Sequence, residues 1–205
     1  MNHFDQITNT LSLTMGAAWA SGINLYAAIL MLGFMGITGN IVLPPNLEIL
    51  MDPMVMAAAG LMYCVEFFAD KTPGIDTGWD TLHTFIRIPA GVLLAAGAVG
   101  EVNPALVLAA GIVGGGIAAG AHATKSGTRL LINTSPEPFS NWTASVLEDV
   151  AVIGGLWAAL HHPYLFLGLF VLFVLAAIWI LPKIWKGIKK VFSGIKGLFK
   201  KKQAS

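Results

Sequence analysis

Charged residues are scarce in this chain. They make up 11% of its 205 residues, against 56% hydrophobic residues, and the mean hydropathy is +0.73. This balance excludes an ordinary soluble globular domain and is typical of a helical membrane protein. No residue from Ile7 to Leu47 is charged, which leaves room for one spanning helix of about 20 residues. We predict this helix at Ser12–Gly36. Gly22 and Asn24 would serve close helix packing there or, in the alternative that we favour less, break the helix.

Cysteine and enzyme motifs are also nearly absent. Cys64 is the only cysteine, so no intramolecular disulfide can form, and its apolar surroundings predict a buried structural thiol. The sequence contains no glycine-rich phosphate-binding loop of the Walker kind, no HExxH and no GxSxG. The sequence therefore gives no support for a nucleotide-driven mechanism or for hydrolysis by an enzyme with one of these motifs.

Three apolar segments are too short to cross a bilayer. Pro53–Val65 and Ile88–Gly100 each hold 13 uncharged residues, and Val150–Leu160 holds 11, whereas a spanning helix needs about 20. These segments are therefore re-entrant, or they carry ionisable residues into the membrane. The residues drawn in would be Glu66 and Asp70, then His83 and Arg87, then Glu148 and Asp149. Two other segments are long enough, the glycine-rich Val102–Thr124 and the wholly apolar Tyr164–Leu181.

The stretch from Gly120 to Asp149 is more polar than a short membrane turn requires. It contains Lys125, Arg129, Asn133, Glu137, Asn141, Glu148 and Asp149. Irregular backbone at membrane depth is tolerated only around protein or a water-lined cavity. The sequence therefore leaves open whether part of this stretch dips back into the membrane.

Basic residues are distributed unevenly. Residues 1–182 contain only Lys71, Arg87, Lys125 and Arg129, whereas 183–205 contain eight lysines and no acid. With six spans and both termini on one side, every basic residue falls on that side, which the positive-inside rule makes cytoplasmic. We thus predict an all-α bundle of about six transmembrane helices in the cytoplasmic membrane, at residues 1–182.

Residues 183–205 are predicted to form a basic amphipathic helix on the membrane surface. Apolar residues recur there at helical spacing and lysines occupy the other face. Anionic lipid is the expected partner, and nucleic acid is not, because the apolar face suits a bilayer. The surface residues are Lys183, Trp185, Lys186, Lys189, Lys190 and Lys196.

Several of these motifs together resemble the DUF4126 family of polytopic membrane proteins, over roughly residues 15–162. The residues that carry the resemblance are Glu66, Asp70, Lys71, Gly74 and Asp76, then Lys125, Ser126, Gly127, Arg129, Asn133, Pro136, Asn141, Ser145, Glu148 and Asp149. The chain departs from the family at Gly22-Ile-Asn24, where a Gly-Leu-Arg motif would be expected. The resemblance implies a membrane fold and no established activity.

Ions inside a bilayer are costly unless they are paired or hydrated, so the intramembrane charges should meet. We predict pairing of Glu66 with Arg87, and of Glu148 or Asp149 with Lys125 or Arg129. In one hypothesis, these groups line a path for a small ion, solute or lipid headgroup, and Asn133 and Asn141 lie along it. The protein would then be a channel or transporter. The alternative is a non-catalytic scaffold, in which the pairs only hold the fold together.

A third hypothesis is a metal-dependent enzyme that modifies lipids. Asp70, Asp76 and Asp80 supply the oxygen ligands that Mg²⁺ or Ca²⁺ prefers, but the rest of such a motif is missing, so no cofactor is firmly expected. His161 and His162 are adjacent and would point about 100° apart on a helix, which suits an interfacial cap better than a metal pair. The glycine-rich span also leaves a homo-oligomer open.

Overall fold

The computed structural model describes residues 3–72, 74–134 and 138–202, and these form helices without any strand. The α-helices are α1 (His3–Ile37), α2 (Pro53–Ala69), α3 (Ile75–Ala98), α4 (Pro104–Ile132), α5 (Pro138–His161) and α6 (Pro163–Lys202). A 3₁₀ helix, Pro45–Met51, precedes α2 at a bend of 65°. Five described helices are long and apolar enough to cross a membrane, and the bent pair makes a sixth candidate. The predicted all-α membrane bundle is confirmed.

The helices begin where the sequence provides caps. Asp52 Oδ1 accepts hydrogen bonds from the backbone N–H groups of Met54 and Val55, at 2.7 and 3.3 Å, at the start of α2. Asn103 Oδ1 accepts from Ala105 N–H at 2.8 Å at the start of α4. A proline follows each cap, where its missing N–H costs no helical hydrogen bond.

Helices α2 to α6 run through the bundle in alternating directions, which gives the bundle two chemically different ends. We call one the acidic end. It holds residues 38–52, 99–103 and His162 between helices, and these contain acids but no lysine or arginine. We call the other the basic end, with the connections at residues 70–74 and 133–137.

Helix α1 does not run straight through the bundle. Asn24 has non-helical backbone angles, φ −143° and ψ 97°, which divide α1 into a first arm, residues 3–23, and a second arm, residues 25–37. The first arm starts at the acidic end, because the Tyr164 hydroxyl donates to Asp5 Oδ1 at 3.3 Å. It runs antiparallel to α5 as far as Asn24, which reaches Asp149.

The second arm turns back to the acidic end. A Cβ on Gly33 would collide with the Leu50 carbonyl oxygen, and the Leu47 side chain packs against Gly97, next to the end of α3. Leu47 and Leu50 are one turn apart in the 3₁₀ helix, so the second arm lies level with the end of α3. Helix α1 is therefore folded back on itself as a hairpin with Asn24 at its tip, and α2 to α6 are the helices that run from end to end of the bundle.

Close packing of small residues holds the hairpin against α3 and α4. A Cβ on Gly22 would meet the Ala118 carbonyl oxygen of α4, and one on Gly91 would meet the Ala118 side chain and Ser21 Oγ. Both interpretations of the Gly22–Asn24 segment thus hold, since Gly22 permits close packing and Asn24 breaks the helix. Cys64, expected to be buried, is exposed on the outside of α2.

Three other parts of the chain bear on the predictions. The start of α1 lies at the acidic end of the bundle, whereas Ile184 of α6 packs on Gly127 of α4 near the basic end. The segment after Pro182 is helical, as predicted, and it continues α6 without a break as far as Lys202. Residues 120–132 and 138–149 belong to α4 and α5; Pro136 and Glu137 lie outside the described residues.

Candidate functional site

Seven charged side chains from four segments meet inside the bundle, towards its basic end. We call them the charged cluster: Glu66, Asp70, Asp80, Arg87, Lys125, Arg129 and Glu148. Six of these side chains are at most 5% exposed, and Glu148 is 18% exposed. Their burial follows from the short apolar segments, since α2, α3 and α5 reach full length only by including these charged residues.

Lys125 is the centre of the cluster. Its Nζ lies 2.8 Å from Asp70 Oδ2 and 3.2 Å from Glu66 Oε1. Asp80 Oδ1 and Glu148 Oε2 are farther away, at 3.8 and 3.5 Å. One ammonium group thus stands within ion-pair distance of four carboxylates, where a compact charge with three donors suits several acceptors.

Arg87 binds two of the same acids through the same oxygens. Its Nη2 donates to Glu66 Oε1 at 2.6 Å and its Nη1 to Asp80 Oδ1 at 2.9 Å. The ring nitrogen Nδ1 of His122 lies 3.1 Å from Nη1, and Nε2 of the same ring is 2.8 Å from the Thr84 hydroxyl. Charge-assisted bonds of this kind are stronger than neutral ones, so the guanidinium fixes both acids.

Arg129 closes the cluster at its more exposed edge. Its Nε and Nη2 form a two-point contact with the two oxygens of Glu148, at 3.1 and 2.7 Å. Its Nη1 donates to the Asp70 and Asn141 carbonyl oxygens, each at 3.0 Å. This planar fork geometry is specific to arginine, and it ties α4 to α5 and to the chain after α2.

The tip of the α1 hairpin touches the cluster directly. The break at Asn24 frees the Ile23 carbonyl, which accepts a hydrogen bond from Lys125 Nζ at 3.1 Å. It also frees the Ala27 N–H, which donates to Asn24 Oδ1 at 3.0 Å and so caps the second arm. Asn24 Nδ2 donates to Asp149 Oδ1 at 2.9 Å. The carbonyl end of one arm thus meets a cation and the cap of the other binds an acid, as helix dipoles favour.

A second polar group lies at the start of α3. Asp76 accepts from Asn133 Nδ2 at 2.8 Å on each oxygen, and Oδ1 also accepts from the Gly74 and Thr77 N–H groups. Asn133 Oδ1 in turn accepts from Asn141 Nδ2 at 2.7 Å. Asp76 therefore binds backbone N–H groups in the first turn of α3 and anchors the α4–α5 connection.

The predicted metal ligands do not converge. Asp70 binds Lys125, Asp76 binds Asn133 and Asp80 binds Arg87. Among the residues that the structure describes, no group of three His, Cys, Asp or Glu side chains is placed to hold a metal ion. The structure thus assigns two of these aspartates to the charged cluster.

Lys71 and Asp149 form an outer layer. Lys71 Nζ lies 2.9 Å from the centre of the Phe67 ring and 3.3 Å from Ser145 Oγ. Its burial lowers the pKa of Lys71 below the ordinary lysine value, and the negative charge of Asp149 partly opposes this. Asp149 also accepts from the Tyr63 hydroxyl, at 3.0 Å.

The cluster contains more acid than base. Four carboxylates face three cations, so the full ionic form has a net charge of −1. Glu66 Oε2, Asp70 Oδ1 and Asp80 Oδ2 are buried and have no hydrogen-bond partner. Buried polar atoms without partners are rare and call for an explanation.

Surface grooves lie elsewhere. Four described grooves of about 340 to 790 Å³ are lined mainly by apolar side chains, and no residue of the charged cluster lines any of them. The cluster is therefore shielded from these grooves in this conformation.

The pairing predicted from the sequence is confirmed for Glu66 with Arg87 and for Glu148 with Arg129 and Lys125. Asp149 binds Asn24 and Tyr63 instead, and Asn133 and Asn141 lie beside the cluster and not between its charges. Sequence reasoning named Asp70 and Asp80 as metal ligands and not as partners of these cations, and it missed the Ile23 carbonyl. The i, i+4, i+7, i+11 spacing of Asp76, Asp80, His83 and Arg87 was the available signal, because such residues share one helix face.

One comparison with known proteins gave a match. A family model described as Domain of unknown function (DUF4126) matches residues 11–183. The likeness therefore extends beyond residues 15–162, into α6. No curated protein and no solved structure matches the chain.

Proposed function

The chain belongs to the DUF4126 family, and from this premise we propose that it is a channel or transporter for a small ion, solute or lipid headgroup. The charged cluster is the site through which the transported species passes. The structure then represents a closed state, because the described grooves do not reach the cluster.

The observation that supports this proposal best is the meeting of the cluster with the broken helix α1. Ionisable residues inside a membrane are expensive, and by default they indicate a functional site. Helices that break at membrane depth, with their two ends facing the site, are typical of secondary transporters. Here Lys125 contacts the carbonyl end of the first arm, at Ile23, and four carboxylates at once.

The membrane orientation is part of the proposal. The acidic end has no lysine or arginine, and the basic end has Lys71, Arg129 and the lysines of α6. The positive-inside rule then makes the basic end cytoplasmic, in the cytoplasmic membrane. The lysines of α6 would contact anionic lipid. Lys183 and Lys189 already lie over the rings of Trp179 and Trp185, at 2.9 and 5.2 Å.

Flux through liposomes that contain the purified protein tests the proposal. We expect the wild type to dissipate an imposed ion or solute gradient, and Glu66→Gln and Arg129→Ala to slow this by about tenfold or more, the factor for about 1.4 kcal/mol at the rate-limiting barrier. Glu48→Gln is the matched control, because Glu48 is exposed at the acidic end. Unchanged flux in both cluster variants, with normal folding, would reject the proposal.

A non-catalytic scaffold is the second candidate. It is favoured by the burial of the cluster and by its separation from the described grooves. In a scaffold the ion pairs would only join α2, α3, α4 and α5. Such a protein would show no flux above that of empty liposomes, and the cluster variants would change stability alone.

A further inference from the structure

We infer that the charged cluster binds one proton, held among the carboxylates of Glu66, Asp70 and Asp80, and that this proton is the coupling ion of transport. The first part stands on the structure alone, whereas the second rests on the proposed function. Three observations on the cluster lead to this inference: its charge balance, its unpartnered oxygens and the surroundings of its histidines.

The charge balance leaves one carboxylate without a cation. Glu66, Asp70, Asp80 and Glu148 face Arg87, Lys125 and Arg129. The outer layer does not change this balance, because Lys71 and Asp149 add one charge of each sign, and Lys71 is attracted by Asp149 and by Asp70 alike. An uncompensated charge buried in a low dielectric is expensive, and a buried acid avoids it by taking up a proton.

The unpartnered oxygens show where that proton fits. Glu66, Asp70 and Asp80 each bind their cations through one oxygen only, and the other oxygen of each is buried without a partner. Glu148 differs, because both of its oxygens bind Arg129. A proton on one of these three oxygens removes the surplus negative charge. The protonated oxygen is then a hydrogen-bond donor and no longer an acceptor that lacks a partner.

The groups around these carboxylates leave no better place for the proton. They come from α1 to α5 and from residue 71: Tyr26, Tyr63, Lys71, His83, Arg87, His122, Lys125, Arg129, Glu148 and Asp149. A proton added to His122 would face the Arg87 guanidinium 3.1 Å away. His83 Nδ1 lies 2.9 Å from the Trp79 carbonyl and its Nε2 3.0 Å from the Tyr26 hydroxyl, so a neutral ring satisfies both contacts.

A proton fits this geometry better than a metal cation. Metal cations of the alkali or alkaline-earth type need several oxygens directed at one point. Among the described residues no three acids are arranged in that way. A proton needs only one oxygen, and Lys125 links the three acids to Glu148, which at 18% is the most exposed member of the cluster.

The purified full-length protein in lipid allows a direct test by infrared difference spectroscopy. We expect the carbonyl stretch of a protonated carboxylic acid at neutral pH, which is lost on raising the pH. Glu66→Gln supplies a permanently neutral side chain, so it should remove that band while leaving the thermal unfolding midpoint at neutral pH unchanged or higher. Asp80→Asn is the second variant, in case Glu66→Gln does not fold. Glu48→Gln should keep the band.

The outcomes separate the inference from the proposed function. No carboxylic acid band in the wild type, or a band that survives in both Glu66→Gln and Asp80→Asn, overturns proton binding. Loss of the band on addition of Na⁺ at constant pH also overturns it, in favour of an alkali cation. A band that behaves as expected without any flux supports proton binding and rejects transport. Flux that does not respond to a pH gradient rejects the coupling role alone.

Discussion

Lys125 illustrates why the loss of a cation from the charged cluster destabilises the protein more than the loss of a carboxylate. Because the cluster already has one acid too many, the loss of a carboxylate is compensated by the loss of the proton. The loss of a cation has no such compensation, since it leaves two surplus acids in the interior. Removing one partner from a buried ion pair is far more costly than replacing the whole pair.

We therefore predict that Lys125→Met strongly destabilises the protein, by about 3–5 kcal/mol, the range for an uncompensated buried charge. Thermal unfolding in detergent, followed by tryptophan fluorescence, measures this. Lys186→Met is the matched control and should be neutral, because Lys186 is exposed on α6.

A double variant strengthens this prediction. Lys125→Met combined with Glu66→Gln returns the cluster to one surplus acid, so part of the lost stability should be regained. If the double variant is as unstable as the sum of the two single variants, Lys125 acts through packing and not through charge.

The residue scale also shows what the sequence could predict. The shortage of apolar residues required Glu66, Arg87 and Glu148 to enter the membrane, and opposite charges there have to pair. Asp70 and Asp80 were instead grouped with Asp76 as metal ligands, because carboxylate oxygens suit a hard cation. The structure instead begins α3 at Ile75, and this early start carries Asp80 into the interior.

At the scale of elements, the α1 hairpin depends on close contact between backbones. Gly22 and Gly91 permit the approach of α1, α3 and α4, and small residues at such crossings are what membrane helices use to associate. Any side chain at Gly22 must displace the backbone of α4 or the tip of the hairpin. A displaced tip would move the Ile23 carbonyl away from Lys125.

We expect Gly22→Ala to cost about 1–3 kcal/mol of stability, the usual cost of overpacking. Gly116→Ala is the control on α4, because a Cβ there has no neighbour within 4 Å, and alanine is a better helix former than glycine. Unfolding midpoints of the two variants give the comparison. Equal midpoints would mean that α1 does not pack against α4 as described.

The course of α1 illustrates the limit of pattern reading at this scale. An uncharged run longer than 20 residues predicts a spanning helix, and its composition is the same whether the chain continues or turns back. The direction of the second arm depends on the contact of Gly33 with the Leu50 carbonyl. Leu47, one turn earlier, packs on Gly97 near the end of α3, and this places the contact near the acidic end. Such contacts are distant in sequence and leave no local periodicity.

For the whole molecule, the hairpin leads us to propose a topology different from the one that charge counting predicts. If α1 enters and leaves the membrane at the acidic end, five helices cross it, and we expect the start of α1 and the end of α6 on opposite sides. All basic residues nevertheless remain in or near the half of the bundle towards the basic end. The positive-inside rule is therefore obeyed by this topology as well as by the six-span topology.

Cysteine labelling of intact cells distinguishes the two topologies. In a Cys64→Ala background, which removes the only native cysteine, we place one cysteine at His3, Glu101 or Ser193, all of which are exposed. A thiol reagent that cannot cross the membrane should label His3→Cys and Glu101→Cys from outside, and Ser193→Cys only after the membrane is opened. Equal protection of His3→Cys and Ser193→Cys would restore the six-span arrangement. Asn24 would then lie on a continuous path across the membrane and not at the tip of a hairpin, and the contact between Ile23 and Lys125 could not be the meeting point of two helix ends.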